Sequence, residues 1–298
     1  MSGADTLGMD STDMSGTETL GMDPLPGSGA DSRLSRIGSQ ILLTGSVVVA
    51  FSLIWEVFSS WEALSGSRLP FWPYIVLSKP SEIIPAFFRA MTTPFVLRHF
   101  WVTFQETAIG FVVGAGGGFL LGIYVALVPT FRKAFYPVII LFQCTPRVAL
   151  GPVFIAWFAF GMTSKIALAA TICFFPVMIN TIVGLTVIEE NAGLLMKSLR
   201  ATRWQTFRHL RLPSSAPTVF AGLKAAVTFA LIGAIVGEFI QANEGVGHLI
   251  ETAAFQFRSD DVFAYLLMLS LIGLALFLLA NVLERRLLFW HADIEEAA

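Results

Sequence analysis

Charge is scarce in this chain. Aspartate, glutamate, lysine and arginine make up 13% of its 298 residues, whereas soluble domains carry about 25%. Hydrophobic residues make up 55% of the chain, and the mean hydropathy is +0.72. This balance excludes an ordinary soluble domain and predicts an integral membrane protein. The net charge of −2 gives no reason to expect a nucleic-acid partner.

Metal-binding and catalytic residue types are equally sparse. The two cysteines, Cys144 and Cys173, lie in apolar runs without metal-ligand spacing, which predicts buried small side chains and no metal site. The histidines are scattered, which argues against a membrane-bound enzyme; they are His99, His209, His248 and His291. The chain also lacks a Gly-x-x-x-x-Gly-Lys-Ser/Thr loop, so we expect any nucleotide hydrolysis to take place on another chain.

Long apolar segments organise the rest of the sequence. Residues 1–37 are rich in Gly, Ser, Thr and Asp, and predict a disordered tail. The segments after it that are long enough to cross a hydrocarbon core of about 30 Å are 37–55, 107–131, 134–160, 166–188, 217–240 and 262–283. The predicted organisation is a first transmembrane helix with an outer connection (38–98), a transmembrane core (99–286) and a C-terminal tail (287–298).

Glycine recurs at every fourth position of the second apolar segment, as Gly110, Gly114, Gly118 and Gly122. At this spacing the four residues share one face of a helix. Small residues on such a face allow another helix to approach closely. We therefore predict a helix-packing seam; the alternative is a seam that slides during a conformational change.

A few polar residues interrupt the apolar segments. Arg147 lies in the third segment, and a lone charge at membrane depth is a candidate functional residue. We predict that Arg147, Glu106 and Glu238 lie in the outer half of the membrane and form a gate or a transient solute contact. The alternative for Arg147 is a structural pair with a carboxylate that holds the broken helix. Asn180 either lines the pathway or caps the break that Pro176 makes.

The polar stretch 189–216, called here the basic segment, separates the fourth and fifth apolar segments. Its basic residues alternate with apolar residues at helical spacing; they are Lys197, Arg200, Arg203, Arg208 and Arg211. The segment is either an amphipathic helix on anionic membrane lipid or a docking site. Basic residues are more frequent in the segments on its side of the membrane, so we expect the basic segment and both termini in the cytoplasm.

The run from Met196 to Pro213 resembles the coupling loop of ABC-importer permeases. That loop reads Glu-Ala-Ala, three residues, Gly, nine residues and then Ile-x-Leu-Pro. With Leu210-Arg211-Leu212-Pro213 aligned to its end, Arg200 takes the Gly position, and the Glu-Ala-Ala positions are Leu194, Leu195 and Met196. The second half of the pattern matches and the first half departs, which leaves Arg200 where glycine normally permits a tight turn.

Further motifs extend the resemblance over residues 77–286, and they are similar to the nitrate/sulfonate/taurine-type branch of these permeases. In chain order they are Lys79-Pro80-Ser81-Glu82, His99 to Thr103, Thr145 to Pro152, Phe174 to Thr181, Gly222-Leu223-Lys224, Glu238 and Gly245-Val246-Gly247. No single motif is specific, and their order and spacing together carry the resemblance.

The resemblance implies an all-α integral membrane protein of the type I ABC-importer permease fold, with about six transmembrane helices and cytoplasmic coupling helices. It implies the membrane-spanning subunit of an ATP-driven importer in the plasma membrane of a prokaryote. The implied solute is small and often anionic, such as nitrate, a sulfonate or taurine, or is a heterocyclic vitamin precursor. The alternative is a secondary transporter driven by an ion gradient, which would leave the basic segment without a role.

The implied partners are two ATPase subunits, a second permease copy in a homodimer and an extracytoplasmic binding protein. ATP would be used by the ATPase, with no cofactor bound by this chain. Trp204 and Phe207 are expected as apolar anchors in the ATPase, with arginines at the rim of the contact. The full expected coupling surface is Met196, Leu199, Arg200, Ala201, Arg203, Trp204, Phe207, Arg208, Leu210, Leu212 and Pro213.

Overall fold

The computed structural model describes residues 29–60, 78–241 and 243–288. Every regular element in this part of the chain is a helix. The expectations for residues 1–28, 61–77 and 289–298 lie outside the described residues and stay predictions. The first helix, α1 (Gly29–Ser59), begins within the stretch predicted as a tail. The chain divides into two units, Met1–Leu53 and Ile54–Ala298, and all helices after α1 belong to the second.

Proline sets several of the helix boundaries in the second unit. The helices are α2 (Pro80–Thr92), α3 (Pro94–Leu127), α4 (Pro129–Cys144), a 3-10 turn (Arg147–Leu150), α5 (Gly151–Phe158), α6 (Met162–Thr186), α7 (Glu190–Ser198), α8 (Arg203–Thr206), a π-helical turn (Phe207–Arg211), α9 (Leu212–Gln241), α10 (Val246–Phe255) and α11 (Ser259–Leu287). Helices α2, α3 and α4 each start at a proline, because the first turn of a helix leaves its amide hydrogens unused and proline has none.

Within the described residues, the stretches long and apolar enough to cross a membrane are α3, α6, Arg203–Ile240 and α11. Helix α4 and the stretch Arg147–Phe158 make a fifth if they are counted as one span bent by 87°. The apolar stretch Leu42–Val57 of α1 is shorter. The all-α, multi-pass architecture predicted from the sequence is confirmed, and the third predicted segment is broken as expected.

Helix α6 lies at the centre of the core, where it packs most extensively against α3 and α9. All four glycines of the predicted seam are buried on α3. A side-chain carbon added to Gly110 would collide with Ala169 of α6, and one added to Gly122 would collide with Thr181. The same carbon on Gly116 would meet nothing within 4 Å. The structure therefore places the predicted packing seam between α3 and α6.

Candidate functional site

A buried charge cluster joins the three central helices. It consists of Glu106 of α3, Lys165 of α6 and Glu238 of α9, and none of the three is more than 5% exposed. The Lys165 ammonium donates a hydrogen bond to Glu106 Oε1 at 2.8 Å. A buried polar group that loses its hydrogen-bond partner typically costs about 1–3 kcal/mol, because it has already given up its water. The pair therefore fixes α3 against α6.

Glu238 is held mainly by neutral donors. The Thr103 hydroxyl donates to its Oε1 at 2.6 Å, and the Gly247 amide donates to its Oε2 at 2.6 Å. Glu106 and Glu238 also lie within side-chain hydrogen-bonding reach of each other. The two acids that the sequence singled out separately thus share one buried site.

The same cluster holds the connection between α9 and α10. Lys165 donates a second hydrogen bond to the Glu244 carbonyl at 3.0 Å. The Val246 amide donates to the Thr103 hydroxyl oxygen at 2.8 Å. One set of side chains on α3 and α6 therefore binds both the end of α9 and the chain that leaves it.

Gly245 makes this connection possible. Its φ of +117° lies in the left-handed region, and a side chain at this position would overlap the Glu238 carboxylate. Its amide donates to Nδ1 of the buried His99 ring at 2.9 Å. Only glycine meets both the backbone and the space requirement here.

Arg147 lies apart from the charge cluster. It begins the turn between α4 and α5, and its Nη1 donates to the Ile172 carbonyl of α6 at 3.2 Å. Pro176, four residues further on, has no amide hydrogen to bond that carbonyl. Arg147 therefore replaces a missing helix hydrogen bond. Its guanidinium also lies 5.2 Å from the centre of the Phe175 ring, within the range of a cation–π contact.

These contacts refine the expectations for the polar residues of the spans. The structure brings Glu106 and Glu238 together and leaves Arg147 elsewhere, where its partners among the described residues are a carbonyl and a ring and not the expected carboxylate. Asn180 Nδ2 donates to the Pro176 carbonyl at 2.8 Å. This hydrogen bond favours the alternative in which Asn180 caps the break that Pro176 makes in the helix.

The basic segment folds into two short helices joined by a tight turn. The Arg200 amide donates to the Lys197 carbonyl and the Ala201 amide to the Met196 carbonyl, each at 3.0 Å. This is the Schellman pattern, in which the residue after the helix end has left-handed backbone and is usually glycine. Arg200 has a φ of +51°. The arginine that stands where the resemblance expects glycine thus adopts a backbone conformation that glycine favours.

A capping box begins the second of these helices. The Thr202 hydroxyl accepts a hydrogen bond from the Gln205 amide, and the Gln205 side chain accepts one from the Thr202 amide. These reciprocal bonds satisfy amides that a helix start leaves open. The turn and the cap together fix α8 relative to α7.

Trp204 and Phe207 stack on each other but have different surroundings. Their ring centroids are 5.6 Å apart. Trp204 is 65% exposed, whereas Phe207 is 8% exposed and packs with Ala126 and Leu185 at the ends of α3 and α6. Phe207 was expected as an anchor in a partner, but it anchors the basic segment to its own helix ends. Trp204 is the exposed ring of the two.

The other residues of the expected coupling surface differ in exposure. The exposed members are Leu199, Arg200, Arg203 and Arg208, and the half-buried members are Met196, Ala201, Leu210, Leu212 and Pro213. Leu194 and Leu195 of α7 add exposed apolar area. The exposed part of the segment thus offers both apolar side chains and guanidinium groups in addition to Trp204.

Lys165 and Thr103 are the site residues that sequence reasoning missed. Lys165 stands just ahead of an apolar segment and reads as part of a polar connection. The signal that could have found it is charge balance, because two acids within apolar helices require a buried cation or hydrogen-bond donors. Thr103 stood out in the sequence only as the end of the His99 to Thr103 motif, and that motif gave it no role in the site.

Known proteins similar to this chain are transport proteins. Residues 118–289 match the family described as "Binding-protein-dependent transport system inner membrane component". The chain is 34% identical over 233 residues to the riboflavin transport system permease protein RibX of Chloroflexus aurantiacus, which covers 78% of this chain and 86% of that protein. It is 33% identical over 239 residues to the formylaminopyrimidine transport permease protein ThiX of Halalkalibacterium halodurans, with 80% and 92% covered.

More distant likenesses follow the same pattern. The taurine transport system permease protein TauC of Escherichia coli is 26% identical over 260 residues, covering 87% of this chain and 93% of that protein. Among solved structures, the inward-facing MetNI methionine ABC transporter has a similar fold, with a TM-score of 0.57 and 14% identity over 64% of this chain and 95% of that chain.

Proposed function

This chain belongs to the family of binding-protein-dependent transport system inner membrane components, and on that premise we propose how its parts act in transport. It is the membrane-spanning permease subunit of an ATP-driven importer of small solutes. We propose that the basic segment is the surface on which a separate ATPase subunit docks. The observation that carries this proposal is the exposed Trp204 ring on a segment whose backbone is fixed by the Arg200 turn and the Thr202 capping box.

The composition of the surface suits a protein partner. Binding energy at protein interfaces concentrates in a few aromatic and arginine side chains, with less critical contacts around them. Trp204 fits the central position, and the exposed side chains of Leu199, Arg200 and Arg203 fit its surroundings. An amphipathic helix on lipid would instead present one continuous apolar face, whereas the exposed apolar residues of this segment are divided between α7 and α8 by a turn.

The segment is also connected to the membrane core in a way that transmits movement. Phe207 packs on the ends of α3 and α6. The π-helical turn continues directly into α9, which reaches the charge cluster at Glu238. In this proposal, closure of the ATPase subunits pulls on the basic segment, and α9 carries the displacement to the connection held by the cluster. Rigid-body switching of this kind is a common mechanism of ligand-driven conformational change.

The remaining assembly follows from the family. We propose two ATPase subunits that use the ATP, a homodimer of this chain and an extracytoplasmic binding protein that delivers the solute. The membrane is the plasma membrane of a prokaryote, with the termini and the basic segment in the cytoplasm. The excess of basic residues on that side supports this orientation.

The identities of the relatives support a heterocyclic solute. The relatives named for riboflavin and formylaminopyrimidine transport are 34% and 33% identical to this chain. The relatives named for taurine and nitrate are 26% and 28% identical. We therefore propose a heterocyclic vitamin or vitamin precursor ahead of a small inorganic or sulfonate anion.

Co-purification of the ATPase subunit tests the docking surface. Trp204→Ala removes the exposed ring and is expected to lower the amount of ATPase retained by about tenfold or more, the usual loss at an interface hot spot. Trp157→Ala is the matched control, because Trp157 is 72% exposed and belongs to α5, which is not part of the basic segment. If the two variants and the parent chain retain equal amounts of ATPase, the basic segment is not the docking surface.

A further inference from the structure

Glu106 has one buried oxygen that no hydrogen-bond donor meets. Its Oε1 accepts from Lys165. Its Oε2 is buried and finds no partner within residues 29–60, 78–241 and 243–288, and the residue as a whole is 0% exposed. An ionised carboxylate oxygen left in this state is strongly destabilising, because it has lost its water and gained nothing in return.

A second acid lies beside Glu106. Glu238 lies within side-chain hydrogen-bonding reach of Glu106. Both oxygens of Glu238 already accept hydrogen bonds, from Thr103 and from Gly247. Two ionised carboxylates at this range repel each other, and such pairs commonly hold one proton between them. A proton on Glu106 would supply the missing donor and remove the repulsion at once.

The charges around the pair lead to the same conclusion. Among the residues that the structure describes, Lys165 is the one cation paired with the two acids. Arg98 is occupied by an ion pair with Glu244 at 2.6 Å. His99 accepts a hydrogen bond from the Gly245 amide at Nδ1, so its ring is neutral. The His248 ring stacks on the His99 ring, with 6.2 Å between their centroids. The cluster therefore keeps one negative charge that none of these groups neutralises.

We propose that Glu106 and Glu238 form a proton-binding site that holds one proton on Glu106 Oε2, donated to the Glu238 carboxylate. Lys165 then donates to the carbonyl oxygen of the Glu106 acid, and its charge balances that of Glu238. The site is neutral as a whole and ties α3, α6 and α9 to the α9–α10 connection. Loss of the proton would set two carboxylates against each other and loosen that connection. The proposal depends on neither the solute nor the ATPase.

Infrared spectroscopy of the purified full chain tests the proposal directly. A protonated carboxyl group has a C=O stretching band that is separate from ionised carboxylates and shifts in D2O. We expect such a band at neutral pH in the parent chain. It should be absent from Glu106→Gln and from Glu238→Gln, since either change leaves one ionised acid beside Lys165. Glu284→Gln is the control, because Glu284 pairs with Lys224 outside the cluster, and the band should persist.

The yield of folded chain gives a second readout. Glu106→Gln mimics the protonated acid, with a carbonyl for Lys165 and an amide for Glu238, so its yield should stay within about twofold of the parent. Glu106→Leu removes both interactions and should lower the yield about tenfold or more. If the parent chain has no band that these variants remove, the pair does not bind a proton. If that band is absent and sodium ions stabilise the parent chain, the pair binds a cation instead of a proton. Equal yields for the glutamine and leucine variants would also overturn the proposal.

Discussion

Arg200 has a backbone conformation that is unfavourable for a residue with a side chain. Its φ of +51° lies in the left-handed region, which costs a residue with a β-carbon roughly 1–2 kcal/mol. The side chain is exposed at the edge of the proposed docking surface. Strained backbone tends to occur at functional sites, and the Arg200 conformation therefore supports the docking surface proposed above.

We predict that Arg200→Gly raises the free energy of unfolding by about 1 kcal/mol, because glycine adopts this backbone without strain. The control is Lys197→Gly, in the last turn of α7, which should lower it by about 1 kcal/mol. Unfolding of the purified chain in one detergent measures both. The same Arg200→Gly chain should retain less ATPase than the parent. A loss of stability as large as that of Lys197→Gly would show that the turn does not favour glycine.

At this scale the sequence shows which residues are unusual but not which of them meet. Glu106 and Glu238 stand out because charge is rare in apolar segments. Lys165 is 59 positions from Glu106 along the chain, and no local pattern links the two. The same holds for Arg147, whose partner is a backbone carbonyl and thus has no signature in the residue types.

At the scale of elements, α6 contains a break that another element repairs. Pro176 cannot donate to the Ile172 carbonyl, and Arg147 does so from the turn between α4 and α5. The arginine and the proline are therefore expected to depend on each other energetically. The charge of Arg147 serves a helix hydrogen bond, which explains why it is tolerated at depth without a carboxylate.

A double-mutant cycle tests this dependence. Arg147→Gln alone should lower stability by about 1.5–3 kcal/mol, the range for hydrogen bonds to charged groups. In a Pro176→Ala background the loss should be smaller by at least ~1 kcal/mol, because the alanine amide can now bond the Ile172 carbonyl. Pro217→Ala, in α9, is the control background and should leave the effect of Arg147→Gln unchanged. If Arg147→Gln has the same effect in the Pro176→Ala and Pro217→Ala backgrounds, Arg147 does not compensate for the hydrogen bond missing at Pro176.

The seam between α3 and α6 permits a comparison within one helix. Gly114→Ala should lower stability by about 1–3 kcal/mol, since the added methyl group would overlap α6 at Ala170 and Cys173. Gly116→Ala adds the same group where nothing lies within 4 Å and should be neutral or stabilising by up to about 1 kcal/mol. Thermal unfolding of the two variants side by side measures the difference. Equal effects would mean that α3 and α6 are not in close contact at this seam.

Helix type was easier to predict than helix limits. The apolar segments give the spans, and their glycine spacing gives one packing face. The start of α3 at Pro94 was missed because Arg98 and Glu106 end the apolar run without ending the helix. Proline at the first position, rather than hydropathy, sets that boundary.

At the scale of the whole molecule, the basic segment and the charge cluster lie at opposite ends of α9. The helix runs from Leu212 to Gln241, and Glu238 is about 40 Å along its axis from Leu212 at 1.5 Å per residue. This length matches a bilayer of about 40–45 Å including its headgroup regions. The two sites therefore face opposite sides of the membrane.

We predict that a cysteine at position 244 is reached from outside the cell and one at position 203 from the cytoplasm. Glu244→Cys and Arg203→Cys each suit labelling, because both side chains are exposed. The background lacks Cys144, because burial was predicted for both cysteines but only Cys173 is buried and Cys144 is exposed. A membrane-impermeant thiol reagent on intact cells should label only the first variant, and both after lysis. The reverse pattern would invert the orientation proposed from the basic residues.

The family was readable from the order of motifs along the chain, since each motif is short and local. The arrangement of the motifs in space was not readable, because α3, α6 and α9 meet through residues far apart in sequence. The motifs His99 to Thr103, Glu238 and Gly245-Val246-Gly247 prove to be parts of one hydrogen-bonded site.

The unbroken course of α9 imposes a constraint on insertions and deletions. Each residue of an α-helix turns the chain by about 100° and advances it by about 1.5 Å. One residue added between Pro217 and Glu238 would therefore swing the Glu238 carboxylate away from Thr103 and Gly247, although every side chain of the cluster was still present. Related chains that keep both the basic segment and the cluster are expected to vary in composition along this helix while conserving its number of residues.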